Sequence, residues 1–347
     1  MADSGGHWST LAEAQKLTAS TLIPGVFETD IKRNNPLDRI AVAQAANSGK
    51  SIKFLREKTT TEGAVQDITV GEGLTWTDSV DYDEVEVELK IKALQRKLNH
   101  FVRDIYGNIN NYRVQVMLEM EKGLKRKLGD SMLYDDVTYG GTKQIDGFHA
   151  QAAIQTGTNL DIDNADTYGL SLANVRKVEE AMKQGISEWW VPYAILRNIN
   201  AAYEEKGFAG LAYNVAGNLS SIQRGVSDIG KPILFWNGVP FIPTDFLVDE
   251  TVNVGDGSNA RTKAATAANN YSIFAVLLGD VIAKQPGSTF AYGGTEGQGD
   301  LYKVVPFPNL EDEDAEGLRM VTYMAMLFSS KFACGRIFDI EDTAILV

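Results

Sequence analysis

Glu84-Val85-Glu86-Val87-Glu88-Leu89-Lys90-Ile91-Lys92 alternates strictly between charged and apolar side chains, and this run decides how the chain is built. Successive side chains of a strand point to opposite faces, so a period of two predicts a half-buried strand with Val85, Val87, Leu89 and Ile91 on one side. A second run, residues 51–56, sets Ile52 and Phe54 against Lys53 and predicts a partner strand. Together they predict an extended two-stranded loop over residues 50–92. Residues 59–89 hold nine acids, Glu62, Asp67, Glu72, Asp78, Asp81, Asp83, Glu84, Glu86 and Glu88, and no Lys or Arg. The sign then reverses through Lys90, Lys92, Arg96, Lys97 and Arg103, and again through Lys122, Lys125, Arg126 and Lys127.

Two arrangements satisfy this charge pattern. The acids form a solvated face of an intramolecular hairpin, or the acidic arm of one copy lies across the basic segment of the next. The second is a head-to-tail contact, the type that closes into rings and shells. A loop of this length containing Gly63, Gly71 and Gly73 buries little apolar surface by itself, so a neighbour would be needed to hold it.

Working outward, residues 1–49 contain Pro24, Pro36 and one small apolar cluster of Leu22, Ile23, Val26, Phe27 and Ile31. They predict an extended arm, with a helical turn near residues 25–31, ordered by docking on something else. Residues 108–128 predict a long helix with Ile109, Tyr112, Val116, Met120, Leu124 and Leu128 on one face and Gly129 as its stop. Val114, Met117 and Leu118 widen that face, which predicts packing on two sides. Residues 130–167 turn polar and glycine-containing and predict loop with short strands.

Ser171 is placed to cap a helix carrying Leu172, Val175, Val178 and Met182 and ending near Gly185. Pro192 fits the first turn of a second helix, with Ile195, Ile199 and Tyr203 inward and Lys206-Gly207 closing it. Strands are predicted at residues 233–236, 239–242 and 272–278, the first two joined by an Asn237-Gly238 hairpin turn, with residues 255–270 as a surface loop. Strand patterns at 301–305, 318–328 and 331–340 close the chain, with an acidic turn at 311–316. The fold class is α+β.

Composition narrows function. The chain has 347 residues, 44% of them hydrophobic, and a formal charge of −13. That balance opposes a nucleic-acid reader, which needs a basic face to displace phosphate counterions. Cys334 is the single cysteine, so an internal disulfide or thiolate metal site is excluded, and its apolar setting predicts a buried structural thiol. Residues 1–17 lack the apolar core of a signal peptide, and the apolar stretch 271–283 is short and broken by Gly279 and Asp280. No membrane contact is expected, and the protein is expected in the cytoplasm when made.

The search for chemistry is negative. His7, His100 and His149 lie in different segments without metal-ligand spacing. Residues 161–166 begin like a calcium loop but carry Ala165, Asp166 and Leu172 where ligand, glycine and terminal acid are required. The glycine-rich run 293–299 lacks a dinucleotide or Walker pattern, and the acidic run 311–316 reads as a solvated turn. Trp189-Trp190 suits core or interface packing. No enzyme, cofactor or metal is expected.

The order of parts resembles the major capsid protein of tailed bacteriophages, the HK97-like fold. The residues that carry the resemblance are 22–42 as an N-terminal arm, 51–91 as the extended loop, 108–129 as the spine helix, 172–207 with 240–245 and 271–278 as the axial domain, and 301–340 as the return to the peripheral domain. The resemblance implies five parts: arm 1–49, extended loop 50–92, peripheral domain 93–148, axial domain 149–295 and peripheral return 296–347. It implies pentamers and hexamers tiling an icosahedral shell around double-stranded DNA, with each extended loop over a neighbour's peripheral domain. Glu62, Asp67, Glu72, Trp76, Asp83, Glu84, Glu86 and Glu88 would then face Lys92, Arg96, Lys97, Lys125, Arg126 and Lys127 of the next copy. Ion pairs would set register, and apolar contacts such as Trp76 would supply affinity.

Residues 59–89 lack lysine, so the loop-lysine isopeptide bond of some family members is not expected there. The arm-like segment starts almost at Met1, which predicts a separate scaffolding protein. A portal, a decoration protein and non-specifically held DNA complete the implied partners of a virion capsid assembled in the host cytoplasm. An encapsulin-type compartment shell is the alternative with the same fold. An enzyme or ligand-binding protein of unrelated fold is the third reading.

Overall fold

The structure, a computed structural model, describes residues 28–45, 49–57, 65–76, 82–100, 112–155, 158–164, 169–210, 222–226, 232–252, 260–293, 301–311 and 314–345. The expected helical turn before residue 28, Glu62, Asp78, Asp81, Arg103, the start of the spine helix, the Tyr203 side chain and most of the 293–299 run lie outside what it describes.

The strands in chain order begin with β1 (Ala41–Gln44), β2 (Ser51–Glu57), β3 (Tyr82–Glu88) and β4 (Lys90–Asn99). Helices α1 (Tyr112–Tyr134), α2 (Val137–Gly140) and α3 (Phe148–Ala153) follow, then β5 (Asp161–Asp163), α4 (Leu172–Ala181), β6 (Glu188–Pro192) and α5 (Tyr193–Gly210). Next come β7 (Ile222–Val226), β8 (Pro232–Trp236), β9 (Val239–Thr244), β10 (Glu250–Val252), β11 (Arg261–Lys263), β12 (Asn270–Val276) and β13 (Ser288–Tyr292). The chain closes with β14 (Lys303–Phe307), β15 (Ala315–Phe328) and β16 (Cys334–Glu341). This is an α+β architecture.

The alternating run at 84–92 is two strands, broken at Leu89. The first part, β3, pairs antiparallel with β2 from Ser51↔Glu88 to Glu57↔Tyr82. The second part, β4, runs on to Asn99 and pairs with β15 from Met324↔Lys90 to Ala315↔Asn99. The basic block is therefore a strand in a five-stranded sheet, and the period of two could not reveal that its halves serve different sheets. That sheet has the order β1, β13, β15, β14, with β4 also on β15.

The spine helix runs through Gly129 to Tyr134, past its expected stop. Buried Val116, Met120, Leu124, Leu128 and Met132 continue one face at a spacing of four, and burial of each large apolar side chain contributes ~1.5–3 kcal/mol. Gly129 is a notch: a Cβ there would lie 2.1 Å from Asn35 Oδ1. Asn35 lies against the helix, donating from Nδ2 to the Lys125 carbonyl at 3.0 Å. Val114 and Leu118 are exposed, so the helix packs chiefly through its other face, against β4 and β15. Residues 130–167 hold helix, not only loop, because the spine helix continues and α2 and α3 follow.

Seven strands form the other large sheet, in the order β5, β16, β12, β6, β9, β8, β7. Trp189 and Trp190 sit on β6, a central strand. Alternation sends them to opposite faces: Trp189 packs with α4 and α5, and Trp190 packs with Phe148 and the spine-helix core. Pro192 ends β6, α4 stops at Ala181 before Gly185, and α5 continues past Gly207 to Gly210. Ser171 occupies the N-cap position but makes no capping bond with its side chain. The Asn237-Gly238 hairpin forms as expected, with φ of 46° and 86° at the two residues. Residues 261–263 form β11 inside the expected surface loop, and residues 331–333 are a short 3-10 helix before β16.

The seven-stranded sheet, the β10–β11 pair, α3 and the spine helix meet at a buried polar joint. Arg336 Nε donates to Asp161 Oδ1 at 2.7 Å, with both side chains fully buried. Its NH1 lies 3.1 Å from His149 Nδ1. Arginine only donates, so Nδ1 accepts and the imidazole proton resides on Nε2. Nε2 sits 2.9 Å from Glu250 Oε1, close to the carboxylate but off the line of a full hydrogen bond. Tyr134 Oη donates to the same oxygen at 2.7 Å, and Ser272 Oγ donates to Oε2.

Candidate inter-subunit surface

Residues 65–76 form a pinned tip in the β2–β3 loop. Gln66 Nε2 donates to the Thr75 carbonyl at 2.9 Å, and Thr75 N donates back to Gln66 Oε1 at 3.0 Å. Glu72 N donates to the Thr69 carbonyl, while Thr69 N and Oγ1 donate to Glu72 Oε2. Those bonds hold the Glu72 carboxyl below its ordinary range, the Thr69 hydroxyl contributing most. Gly71, at φ 94°, supplies the left-handed residue of the turn.

The tip presents apolar side chains to solvent. Val65, Ile68, Val70, Leu74 and Trp76 are all exposed, Trp76 by 98%. Lone exposed apolar residues are ordinary, but five within one twelve-residue segment form a patch of the kind that contact surfaces carry. Trp76 is legible in the sequence as a contact residue, whereas Val65, Ile68, Val70 and Leu74 follow no strand or helix period.

The structure pairs most of the singled-out charges within the chain. Lys53 Nζ lies 2.9 Å from Glu84 and 3.3 Å from Glu86, and Glu86 also accepts from Ser51 Oγ. Glu88 is held by Lys50 at 2.8 Å and Lys90 at 2.7 Å, bonds that pull its carboxyl down to about 2. Lys92 pairs with Asp135 at 2.6 Å and Arg96 with Glu119 at 3.2 Å. Lys125 pairs with Glu121, and Arg126 bridges Glu28 and Asp30. Asp83 lies on β3 near Arg56, Asp67 and Glu72 are on the tip, and Lys127 is exposed on the spine helix. Within one chain the acidic strands and the basic helix are separate clusters.

Opposite the spine helix, the β4–β15–β14 sheet is open. Leu94 and Leu98 face the core, whereas Ile91, Ala93, Gln95 and Lys97 face solvent. At one end of this face is a groove of about 390 Å³, lined by Gln95, Arg96, Lys97, Phe307, Leu310, Gly317, Leu318 and Arg319. The Arg319 guanidinium stacks 4.9 Å from the Phe307 ring centroid. Gly317 keeps the floor low, since a Cβ would come within 3.2 Å of Leu310 Cδ2. A second groove under the β2–β3 hairpin mixes Arg56 and Lys90 with Glu86, Glu88 and Asp146. Burial, with nearby Asp136, raises the Asp146 carboxyl. Sequence reasoning missed Phe307, Leu310 and Arg319, because only the β14–β15 pairing brings them beside Gln95.

Cys334 is buried and free, and burial pushes its thiol up, in keeping with an inert packing role. No described helix is long and apolar enough to cross a membrane.

No family model matches the chain, and no curated protein does. Solved structures do match. The holo-SrpI encapsulin complex from Synechococcus elongatus PCC 7942 is similar over 97% of this chain and 97% of its own, at a TM-score of 0.66 and 13% identity. The capsid of a native GTA particle is similar over 96% of this chain and 98% of its own, at a TM-score of 0.58 and 13% identity. The capsid of Myoviridae phage XM1 covers 93% of this chain and 98% of its own, at a TM-score of 0.58 and 9% identity. The likeness is one of architecture and spans nearly the whole chain. In particular, the chain has the HK97-like capsid fold.

Proposed function

We propose that this chain is the major capsid protein of a tailed phage, a structural and non-catalytic subunit that assembles as pentamers and hexamers into an icosahedral shell around double-stranded DNA. The observation that carries this reading is a whole-chain likeness to capsid subunits, joined to a projecting loop whose apolar tip its own chain leaves bare. The five-part division given above belongs to the same proposal, as do assembly in the host cytoplasm, a separate scaffolding protein, a portal and a decoration protein. The extended loop of one copy lies on the basic peripheral surface of the next. Tip apolar groups give affinity, and Glu62, Asp67, Glu72, Asp83, Glu84, Glu86 and Glu88 with Lys92, Arg96, Lys97, Lys125, Arg126 and Lys127 give register.

Negative-stain electron microscopy of the purified chain, expressed with and without a scaffolding protein, tests this. Rings, tubes or closed shells support it, and a clean monomer under both conditions overturns it. Reversing Glu84, Glu86 and Glu88 to lysine should block assembly while the subunit stays folded; normal shells from that variant would remove the charge-register part. A second reading, an encapsulin-type compartment, is favoured by the TM-score of 0.66 to the SrpI shell. Nuclease-protected DNA in particles from infected cells supports the capsid reading, and an enclosed protein cargo supports the compartment.

A further inference from the structure

We infer that Asn237 is a site of spontaneous deamidation, and that Glu179 on α4 guards it by clamping its side-chain amide. Neither residue enters the shell reading above, and the chemistry does not depend on it.

Asn237-Gly238 is the single Asn-Gly pair of the chain. Glycine has no Cβ to shield its amide nitrogen, so that nitrogen can attack the side chain of the preceding asparagine. The Gly238 nitrogen bonds to Asn237 Cγ, the Cγ–Nδ2 bond breaks, and Nδ2 leaves as ammonia with the proton that Gly238 N gives up. Water then opens the succinimide ring at one carbonyl or the other and leaves aspartate or isoaspartate. Both residues are exposed, so water reaches them. No heavy atom stands within 4 Å of where a Gly238 Cβ would lie, so packing leaves that side open.

Two restraints oppose the reaction. The first is the turn itself. With φ of 46° and 86°, Asn237 and Gly238 form the mirror-image turn of a two-residue hairpin, closed by the Trp236↔Val239 pair. Closing the succinimide ring needs rotation about the Asn237 Cα–C bond, and the paired strands on both sides resist it.

The second restraint is the clamp. Asn237 Nδ2 donates to Glu179 Oε1 and Oε2 at 2.9 Å each, across 58 positions of sequence. Buried Trp236 donates from Nε1 to Glu179 Oε2 at 2.8 Å and so fixes the carboxylate. Attack requires the amide to swing towards Gly238 N, and the clamp holds it against α4 instead. Hydrogen bonds to a charged acceptor are among the stronger ones, so the released side chain is rarer by about tenfold or more.

Conversion would undo the clamp for good. A carboxylate only accepts, so aspartate at this position would set like charges where two hydrogen bonds stood. Isoaspartate would also lengthen the main chain within the turn. Either product loosens the β8–β9 hairpin from α4.

The full chain is incubated at neutral pH, native and in denaturant, and conversion at residue 237 is followed by peptide mass mapping and isoaspartyl methyltransferase labelling. The native wild type should convert at least about tenfold more slowly than the denatured chain. Native Glu179→Ala should recover most of the denatured rate, whereas Trp236→Phe, which keeps the clamp, should stay slow. No conversion in denaturant overturns the site, and a native wild type as fast as the denatured chain overturns the guard. Equal native rates for wild type and Glu179→Ala overturn the role of Glu179, and a Trp236→Phe chain as fast as Glu179→Ala assigns the rate to general loosening and overturns it too.

Should Glu179→Ala not fold, Glu179→Gln is read in its place: loss of the charge should speed conversion severalfold, and an unchanged rate overturns the clamp. Asn237→Asp, the product itself, should lower the unfolding midpoint, and adding Glu179→Gln should restore most of it. Absence of that rescue overturns the like-charge contact.

Discussion

The loop tip and the buried polar joint invert the usual placement of side chains. The tip puts tryptophan and aliphatic groups in water, and the joint puts Arg336, Asp161, His149 and Glu250 in the interior. The joint stands where parts of one chain meet, and the tip's apolar side chains are left exposed by their own chain. At the joint, the meeting of spine helix and seven-stranded sheet occurs within one chain, and each polar side chain finds at least one polar partner as the chain folds. At the tip the proposed partner is a second copy, and the chain itself leaves the surface bare. Buried charge specifies an internal seam, and exposed apolar area is what an external one requires.

Removing either kind of group should therefore show in different measurements. The largest effect on the isolated subunit is expected from Arg336→Met, which strands the Asp161 carboxylate in the core and leaves His149 Nδ1 without a donor. Loss of one partner of a buried ion pair costs about 3–5 kcal/mol, read as a shift in denaturant midpoint. A shift no larger than that of a surface substitution would break the contrast.

Tyr134→Phe comes next. It removes one donor to Glu250 and one acceptor for Val248 N, and about 1–3 kcal/mol should be lost in the same assay.

Acid should act on the joint in the same direction. Burial holds the His149 imidazole below its ordinary 6.5, with Arg336 and Arg261 adding to the effect against the pull of Glu250. Burial would raise the Glu250 carboxyl, but His149, Ser272 and Tyr134 together hold it below its ordinary 4.5. For both groups the folded value is depressed. Their stabilisation is complete above the unfolded value and is lost as pH falls through the folded one. Thermal midpoints should thus decline below 6.5 and more steeply below 4.5. His149→Gln, which cannot titrate, should flatten the first part of that decline.

The smallest effect on the subunit belongs to the tip. Trp76→Ala should move subunit stability by no more than about 0.5 kcal/mol, as for surface positions generally, while particle formation is lost. A large loss of subunit stability would show that the indole serves the internal fold.

Much of this was legible in the sequence. The period of two in residues 51–56 and 84–92 gave the extended loop, the spacing of four through Val116, Met120, Leu124 and Leu128 gave the spine helix, and Asn237-Gly238 gave its hairpin, because each signal is local. Long-range pairing left no comparable trace. Nothing in residues 90–99 announces that β15 is their partner, and Gly129 looks like a stop until Asn35 is seen occupying the space its missing Cβ leaves.

Charge shows the same limit. Acids and bases separated along the chain do not reveal that folding brings Lys53 and Lys50 against Glu84, Glu86 and Glu88 across a hairpin. Sequence by itself determined which segments are strands or helices and that an acidic, apolar-studded loop exists. Tertiary structure alone decided which side chains stay bare, since exposure depends on what the rest of the chain brings into contact.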